Sequence, residues 1–328
     1  MLGGVTAVFG EPDEFQVALS LDGVVNLLVV DPGQFRARLT QVTLHGLQLS
    51  ACNEQLPRIA FIRVPPDIVV VAFSISDQRP APLWGGVEMR VDEMITLGSD
   101  VLIHARTDRG CSWGAIRLPR EDLAQYGRDL TGVELLLPSA TRWRPPRTAF
   151  RQLRHFHLAA IRAVEGRAGP VIDRQAARGL EQQVVHSLVE CLSAGIAVEE
   201  TPVTRRHRTI LAQFEDLIRE KPVWQASEIS AALEISQRMM LGCCNTHLGM
   251  GPGRYLRLRR MQAVHRTLRS TDPHVASVAD VATQHGIRDL GRFAQSYQEL
   301  YGEFPSVTLR GHRKAGQLKP GKTYMKFP

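Results

Sequence analysis

Toward the C-terminal end of the chain, one pattern of apolar and polar positions occurs twice between residues 226 and 309. Early in each copy, Ile229 and Ile235 match Val281 and Ile287 at an offset of 52 residues. Later the offset is 53, and the matches are Met240 with Phe293, Cys244 with Tyr297, Leu248 with Tyr301, Gly249 with Gly302 and Pro252 with Pro305. Stacked repeat proteins generally need about three or more units for stability. Two copies therefore indicate a paired module.

Each copy predicts a short helix, a turn and a longer helix, because its apolar residues keep a helical spacing. Ser236 and Asp289 stand where they can cap the two longer helices. The predicted helices are 227–233 and 236–247 in the first copy, 275–284 and 289–300 in the second, and 252–268 between the copies. The spacing thus predicts an all-helical C-terminal part.

The pattern before residue 118 is different: short apolar or alternating runs are separated by turn signals such as Asp31-Pro32-Gly33. Predicted strands cover residues 15–19, 27–30, 44–50, 59–64, 68–75, 93–97, 101–105 and 111–118. Regularly spaced strands without helices between them predict an antiparallel barrel or sandwich. The fold class of the whole chain is therefore predicted to be α+β.

Helical spacing returns at about 149–164 and 174–194. The second of these helices carries Leu180, Val184 and Leu188 on one stripe, which fits either a dimer seam or, as we favour, a helix packed on the barrel. The predicted division is an N-terminal domain at 1–198 (barrel at about 1–118, helices at about 146–196), a linker at 199–204, a helical domain at 205–310 and a basic disordered tail at 311–328.

The basic charge lies in the half that contains the repeat. Residues 205–328 hold 20 Lys and Arg against 10 Asp and Glu, whereas residues 1–204 hold 20 against 23. This distribution favours a phosphate-backbone partner. The five cysteines show no metal-ligand spacing and suggest reduced thiols. No apolar run approaches the length of a membrane span, so we expect a soluble intracellular protein that does not associate with a membrane.

A short helix, a tight turn and a capped second helix form a helix-turn-helix, whose second helix lies in the DNA major groove. Two such units on one connector can enter successive major-groove segments of double-stranded promoter DNA. Arginine and amide side chains read base edges, and cations contact phosphates. The base-reading candidates are Gln237, Arg238, Arg288, Arg292 and Gln295, and the phosphate candidates are Asn245, Thr246, Arg254, Arg257, Arg259 and Arg260.

The second copy also carries a family signature. Its residues Gly286-Ile287-Arg288-Asp289-Leu290-Gly291-Arg292-Phe293-Ala294-Gln295-Ser296-Tyr297, followed by Tyr301-Gly302-Glu303-Phe304-Pro305-Ser306, resemble the signature of the AraC/XylS family of bacterial transcription regulators. The first copy, from Ser236-Gln237-Arg238 to Gly249-Met250-Gly251-Pro252, resembles that family's first helix-turn-helix. The resemblance covers about the last 110 to 120 residues.

The resemblance implies roles for individual residues. It places base-facing positions at Arg238, Leu241 and Gly242 in the first unit, and at Leu290, Gly291, Arg292 and Gln295 in the second. Phe293 and Tyr297 fall where the family has packing aromatics. Leu241 and Gly242 depart from the pattern because neither side chain can donate a hydrogen bond, so we expect the first helix to be the weaker reader.

The same resemblance implies a cupin-like N-terminal barrel that senses a signal and often dimerises, in a regulator of a kind that commonly activates transcription through RNA polymerase. We expect a small-molecule or nucleotide effector, a homodimer, no cofactor, and a cytoplasmic, nucleoid-associated protein. The alternative is a metal-dependent cupin enzyme with an appended DNA-binding module. We favour the regulator, with no enzymatic activity.

Three further clusters suggest other chemistry. His155 and His157 resemble a metal pair, but on a helix they point to different faces, so structural roles are favoured and no metal site is expected. Cys243 and Cys244 are expected to be apolar helix residues. One segment combines three guanidinium groups with an aromatic ring, a set that suits an anionic ligand: Arg142, Trp143, Arg144 and Arg147. The alternative, which we prefer, is an ordinary loop.

Overall fold

The structure is a computed structural model, which describes residues 2–76, 82–98, 101–138, 140–165, 174–221 and 223–315. Within these ranges the strands are β1 (Leu2–Phe9), β2 (Val24–Val29), β3 (Ala37–Leu44), β4 (Leu47–Glu54), β5 (Arg58–Arg63), β6 (Ile68–Ser74), β7 (Leu83–Trp84), β8 (Val87–Glu88), β9 (Met94–Leu97), β10 (Leu102–Thr107), β11 (Cys111–Pro119), β12 (Ala140–Arg144) and β13 (Ile196–Val198). The α-helices are α1 (Pro12–Ala18), α2 (Arg120–Thr131), α3 (Arg147–Glu165), α4 (Arg174–Ser193), α5 (Pro202–Glu220), α6 (Ala226–Ala232), α7 (Gln237–Leu248), α8 (Pro252–Ser270), α9 (Val278–Gln284), α10 (Leu290–Tyr301) and α11 (Pro305–Ala315).

The N-terminal strands form two antiparallel sheets. The larger has the order β1-β3-β4-β11-β6-β9-β12-β13, and the smaller has the order β2-β5-β10-β7-β8. The two sheets pack face to face over a core that includes Leu27 and Ile62 of the smaller sheet and Leu39 and Val70 of the larger. The α+β class is therefore confirmed, but the described strands form two open sheets and not a closed barrel.

Two predicted strands were wrong in detail. Residues 15–19 belong mainly to α1, because Pro12, Asp13 and Glu14 supply a helix start with a fixed φ and favourable charges in the first turn. Residues 44–50 contain a two-residue turn at His45, whose φ of 46° lets β3 reverse into β4. The alternating pattern cannot distinguish a tight hairpin from one continuous strand.

The helices after the sheets cover the outer face of the larger sheet. Helices α3 and α4 pack on it through Ala149, Leu153, Val184 and Leu188, all of which are fully buried. The stripe on α4 is therefore occupied within the chain, as the favoured interpretation held. Among the described residues, no helix combines the length and apolar character that a membrane span requires.

The C-terminal part contains the two predicted helix-turn-helix units, α6–α7 and α9–α10, joined by α8. Helix α5 begins at Pro202, with Thr201 as its N-cap, so the predicted linker 199–204 is already partly helical. Helix α11 continues to Ala315, so the predicted tail begins inside a helix. Residues 316–328 lie outside the described part of the chain.

The two units differ in what they pack against. The core of the first unit includes Met240, Cys244 and Tyr255, and it is continuous with Leu28 and Phe61 on the outer face of the smaller sheet. The second unit has a separate core that includes Val281, Phe293, Tyr297 and Leu309. The first unit is therefore joined to the sheets through a shared apolar core.

Candidate nucleic-acid interface

The first recognition helix, α7, is amphipathic in the way that groove insertion requires. Ser236 caps it by accepting a hydrogen bond from the Met239 amide at 3.1 Å. Its inner face buries Met240, Cys243 and Cys244. Its outer face exposes four of the predicted DNA-contacting residues, Gln237, Arg238, Asn245 and Thr246. The helix thus presents them together on the side that faces away from the core.

The middle of that outer face has no polar side chain. Leu241 is 46% exposed, and a Cβ built on Gly242 would meet nothing within 4 Å. Neither residue can donate a side-chain hydrogen bond to a base edge. Polar recognition by α7 therefore depends on the residues on either side of this gap, above all Arg238.

The second recognition helix, α10, carries a denser set of donors. The Asp289 carboxylate caps it by accepting from the Arg292 amide at 3.1 Å. Phe293 and Tyr297 are buried and pack in the core of the unit. The Arg292 side chain is 91% exposed, and Arg288 and Gln295 are also exposed. Donors with the geometry to read guanine and adenine thus lie on one exposed surface.

The connector arginines have different roles. Arg254 and Arg257 are exposed near the start of α8, and Arg254 lies 3.7 Å from the Asp31 carboxylate. The prediction that Arg259 contacts phosphate was wrong, because this residue lies in a buried network. Arg260 donates to the Trp224 carbonyl. Helical periodicity explains the difference, because residues 254 and 257 share a face that 259 does not.

The buried network joins α8 to the sheets. Arg259 donates to Glu215 at 2.7 Å and to the Asn26 side chain at 2.6 Å. Tyr255 also donates to Glu215, at 2.7 Å. Burial raises the pKa of Glu215, while the Arg259 guanidinium and the Tyr255 hydroxyl oppose that shift. A buried carboxylate needs such partners, so Arg259 is tied to the structure of the interface and not to DNA.

A second polar contact joins α1 to the far end of α8. Arg266 donates to Asp13 at 2.6 Å, and Arg269 pairs with Glu11 and with Glu14. The sequence pattern did not predict this contact, because residues 15–19 were assigned to a strand and the acidic segment before them to no helix. Five polar side chains from two distant segments thus hold the connector helix against the N-terminal domain.

The histidines and cysteines lie where the structural interpretation expected them. His157 is fully buried, and its Nε2 lies 3.1 Å from the Ser50 carbonyl, whereas His155 is exposed. Cys243 and Cys244 are fully buried, and burial raises the pKa of both thiols. In the described ranges, no group of three or more His, Cys, Asp or Glu side chains is arranged to hold a metal ion.

The four residues of the candidate ligand segment do not form one cluster in the structure. Arg142 and Arg144 pair with the buried carboxylate of Glu93 at 3.4 and 3.0 Å, and the Trp143 indole donates to the Thr96 hydroxyl at 2.9 Å. These three residues therefore already have partners in the sheet. Arg147 is exposed at the start of α3, and the structure does not bring it into one cluster with them.

Two exposed, capped recognition helices on one connector, each with arginine on its outer face, define a double helix-turn-helix DNA-binding protein. A helix-turn-helix domain family model matches residues 229–311. The XylDLEGF operon transcriptional activator 2 of Pseudomonas putida is 30% identical over 136 residues, which are 40% of this chain and 82% of that protein. The chain belongs to the AraC/XylS family and is a DNA-binding transcription regulator, not an enzyme.

Other relatives match over a smaller share of their length. The probable thc operon regulatory protein of Rhodococcus erythropolis is 26% identical over 42% of this chain and 45% of that protein. Another XylDLEGF operon transcriptional activator of P. putida is 28% identical over 40% of each chain. Among solved structures, the AraC-like transcriptional activator CuxR aligns over 81% of this chain and 96% of its own, with 15% identity and a TM-score of 0.42.

Proposed function

We propose that this regulator binds promoter DNA by placing α7 and α10 in successive major-groove segments, and that its N-terminal domain controls this binding. The observation that carries the proposal is the common exposure of Arg238 on α7 and Arg292 on α10. Helix α8, with 19 residues, is about 28 Å long, close to one turn of DNA at about 34 Å. Arg254, Arg257, Asn245 and Thr246 supply phosphate contacts.

Control by the N-terminal domain rests on the shared core and on the contacts along α8. Any change in the position of β2 acts on α8 directly, because Asn26 and the backbone carbonyl of Leu27 are hydrogen-bonded to Arg259 and Gln262. A signal that shifts the smaller sheet therefore changes the orientation of the first unit relative to DNA. This requires only two arrangements of one packed interface.

Finer features of the proposal come from the family. The two facing sheets are interpreted as a cupin-like effector domain at 1–198, separated from the DNA-binding domain at 199–204. Because relatives are named transcriptional activators, we infer activation, with RNA polymerase as a partner. We also infer a homodimer in the bacterial cytoplasm, bound to the nucleoid.

Selection of DNA from a random library by the purified full-length protein tests DNA recognition. We expect an enriched site with two short motifs whose centres lie about one helical turn apart, because the two recognition helices are joined by one connector. The control is the same selection with Arg238→Ala plus Arg292→Ala, which should enrich no motif. Failure of the wild-type protein to enrich any sequence would contradict the proposal.

A further inference from the structure

A wide cleft of about 950 Å³ opens on the outer side of the N-terminal domain, between the β8–β9 segment and the first half of α3. Its polar lining is dominated by arginine: Arg90 from the segment, and Arg147, Arg151 and Arg154 from the helix. The recognition helices contribute nothing to its lining. DNA binding therefore leaves this concentration of positive charge unexplained.

The three helical arginines form a row. Positions 147, 151 and 154 are four and three residues apart, and such neighbours lie on one helix face about 5 to 6 Å from each other. Arg90 faces them from the other wall. A row of guanidinium groups at this spacing suits a ligand that carries several negative charges in a line, and guanidinium groups bind phosphate oxygens in pairs.

The row is only partly neutralised by the protein. Arg90 pairs with Asp92 at 3.2 Å, and Arg154 donates to the Ile75 carbonyl at 3.3 Å. Arg147 and Arg151 are exposed and have no ion pair or hydrogen bond within the described part of the chain. Among the described lining residues the acids are Glu88 and Asp92, and neither pairs with Arg147 or Arg151, so these two guanidinium groups keep their charge available in the cleft.

The rest of the lining is apolar or planar. Pro145, Phe150 and Leu158 supply the apolar part of the lining, here called the floor, and the exposed imidazole of His155 also lines the cleft. Guanidinium planes and imidazole rings stack on nucleobases, and an apolar floor excludes water from such a contact. An inorganic anion would use the arginines alone and leave this surface uncovered.

We propose that this cleft binds a nucleotide, with its phosphates along Arg147, Arg151 and Arg154 and its base against the floor and His155. The site shares Arg147 with the segment that the sequence suggested but excludes Arg142 and Arg144, which pair with Glu93. It deepens the proposed function by naming the effector class, and its regulatory consequence rests on that function. Nucleotide binding itself does not depend on DNA.

The surroundings connect the cleft to the DNA-binding part. Glu93 accepts from the backbone amide of Arg90 at 3.2 Å and from both arginines of β12. Strand β12 pairs with β13, which ends four residues before α5 begins. A ligand that moves Arg90 therefore acts on the strand pair that leads into the DNA-binding domain.

Titration of the full-length protein with fluorescent ATP and GTP analogues, without DNA, tests the site. Unlabelled ATP, GTP, cyclic mononucleotides, cyclic dinucleotides and pyrophosphate serve as competitors. We expect saturable binding of at least one nucleotide, and Arg147→Gln plus Arg151→Gln should weaken it about 100-fold, because each charge-assisted contact contributes about tenfold or more. The double variant should keep the thermal unfolding midpoint of the wild type, since both side chains are exposed.

The matched control removes the same charge elsewhere: Arg162→Gln plus Arg178→Gln changes two exposed arginines on α3 and α4 outside the cleft, and should leave the affinity within about twofold. Any of three results would overturn the assignment. These are the absence of saturable binding, a loss of affinity in the control equal to that in the cleft variant, and competition by pyrophosphate as strong as that of the best nucleotide. Specific DNA binding, measured on the same samples, reports separately on the proposed function.

Discussion

Three buried histidines are uncharged in the folded protein. Burial lowers the pKa of His104 to about 3 and that of His157 and His247 to about 4. His104 and His247 also face each other across the junction between β10 and α7, with ring centroids 5.3 Å apart. No acidic side chain is among the causes of either pKa shift. Protonation of either ring would therefore place an uncompensated positive charge in this junction, so acid weakens it.

The sign of the effect follows from the direction of these shifts. In the unfolded chain a histidine takes up a proton below about pH 6.5, whereas the folded protein resists protonation until about pH 4 or lower. The free energy of unfolding therefore falls as the pH drops through this window, by about 1.4 kcal/mol per pH unit for each histidine. Asp22, whose pKa is raised to about 6 by burial, acts in the opposite direction.

Urea denaturation at pH 7 and pH 5 measures this dependence. We expect the free energy of unfolding of the wild type to be lower at pH 5 than at pH 7. In His104→Asn or His157→Asn this decrease should be about 2 kcal/mol smaller than in the wild type, whatever the stability of the variant at pH 7. His186→Asn, at an exposed position of α4, should behave as the wild type. A pH dependence that none of the buried-site variants reduces would contradict the account.

Single residues also mark what sequence patterns cannot reveal. Arg259 and Arg257 look alike in a basic connector, but the first lies in a buried network and the second is exposed. The partner that fixes the difference is Asn26, more than 200 residues away. Arg142 and Arg144 were likewise candidate ligand groups, beside the ordinary loop that was preferred, because the buried Glu93 with which they pair is distant in sequence.

At the scale of elements, the helix-turn-helix units were the most predictable part of the molecule. Their helical spacing, capping residues and turns lie close together in sequence, so local patterns contain most of the information. The strands were located well where a turn signal bounded them. Helix α1 and the β3–β4 hairpin were not, since a short amphipathic segment fits more than one structure.

The two recognition helices are expected to differ in discrimination. The α10 unit exposes the hydrogen-bond donors Arg288, Arg292 and Gln295, whereas the centre of the exposed face of α7 has no polar side chain at Leu241 and Gly242. We predict that Arg292→Ala reduces the ratio of specific to non-specific affinity more than Arg238→Ala does. Polarisation assays on the selected site and on a scrambled site, at one salt concentration, give both ratios. Equal losses would refute the asymmetry.

At the scale of the whole molecule, the asymmetry extends to packing. The first unit shares its apolar core with the smaller sheet, while the second has its own core, and the end of α8 that leads into it contacts α1 through polar side chains. No local pattern predicts this arrangement, because it depends on how two independently predictable parts dock. We therefore propose that a change in the sheets reaches DNA through the first unit.

The most direct test of the account is the affinity of Arg238→Ala plus Arg292→Ala for the selected site. The wild type should prefer that site over a scrambled one by about 1,000-fold or more, and the double variant should lose at least about 100-fold of this preference, because each arginine–base contact contributes about 1–3 kcal/mol. Arg128→Ala plus Arg178→Ala, at exposed positions of α2 and α4, should leave it unchanged. Full preference in the Arg238 and Arg292 double variant would contradict recognition through α7 and α10.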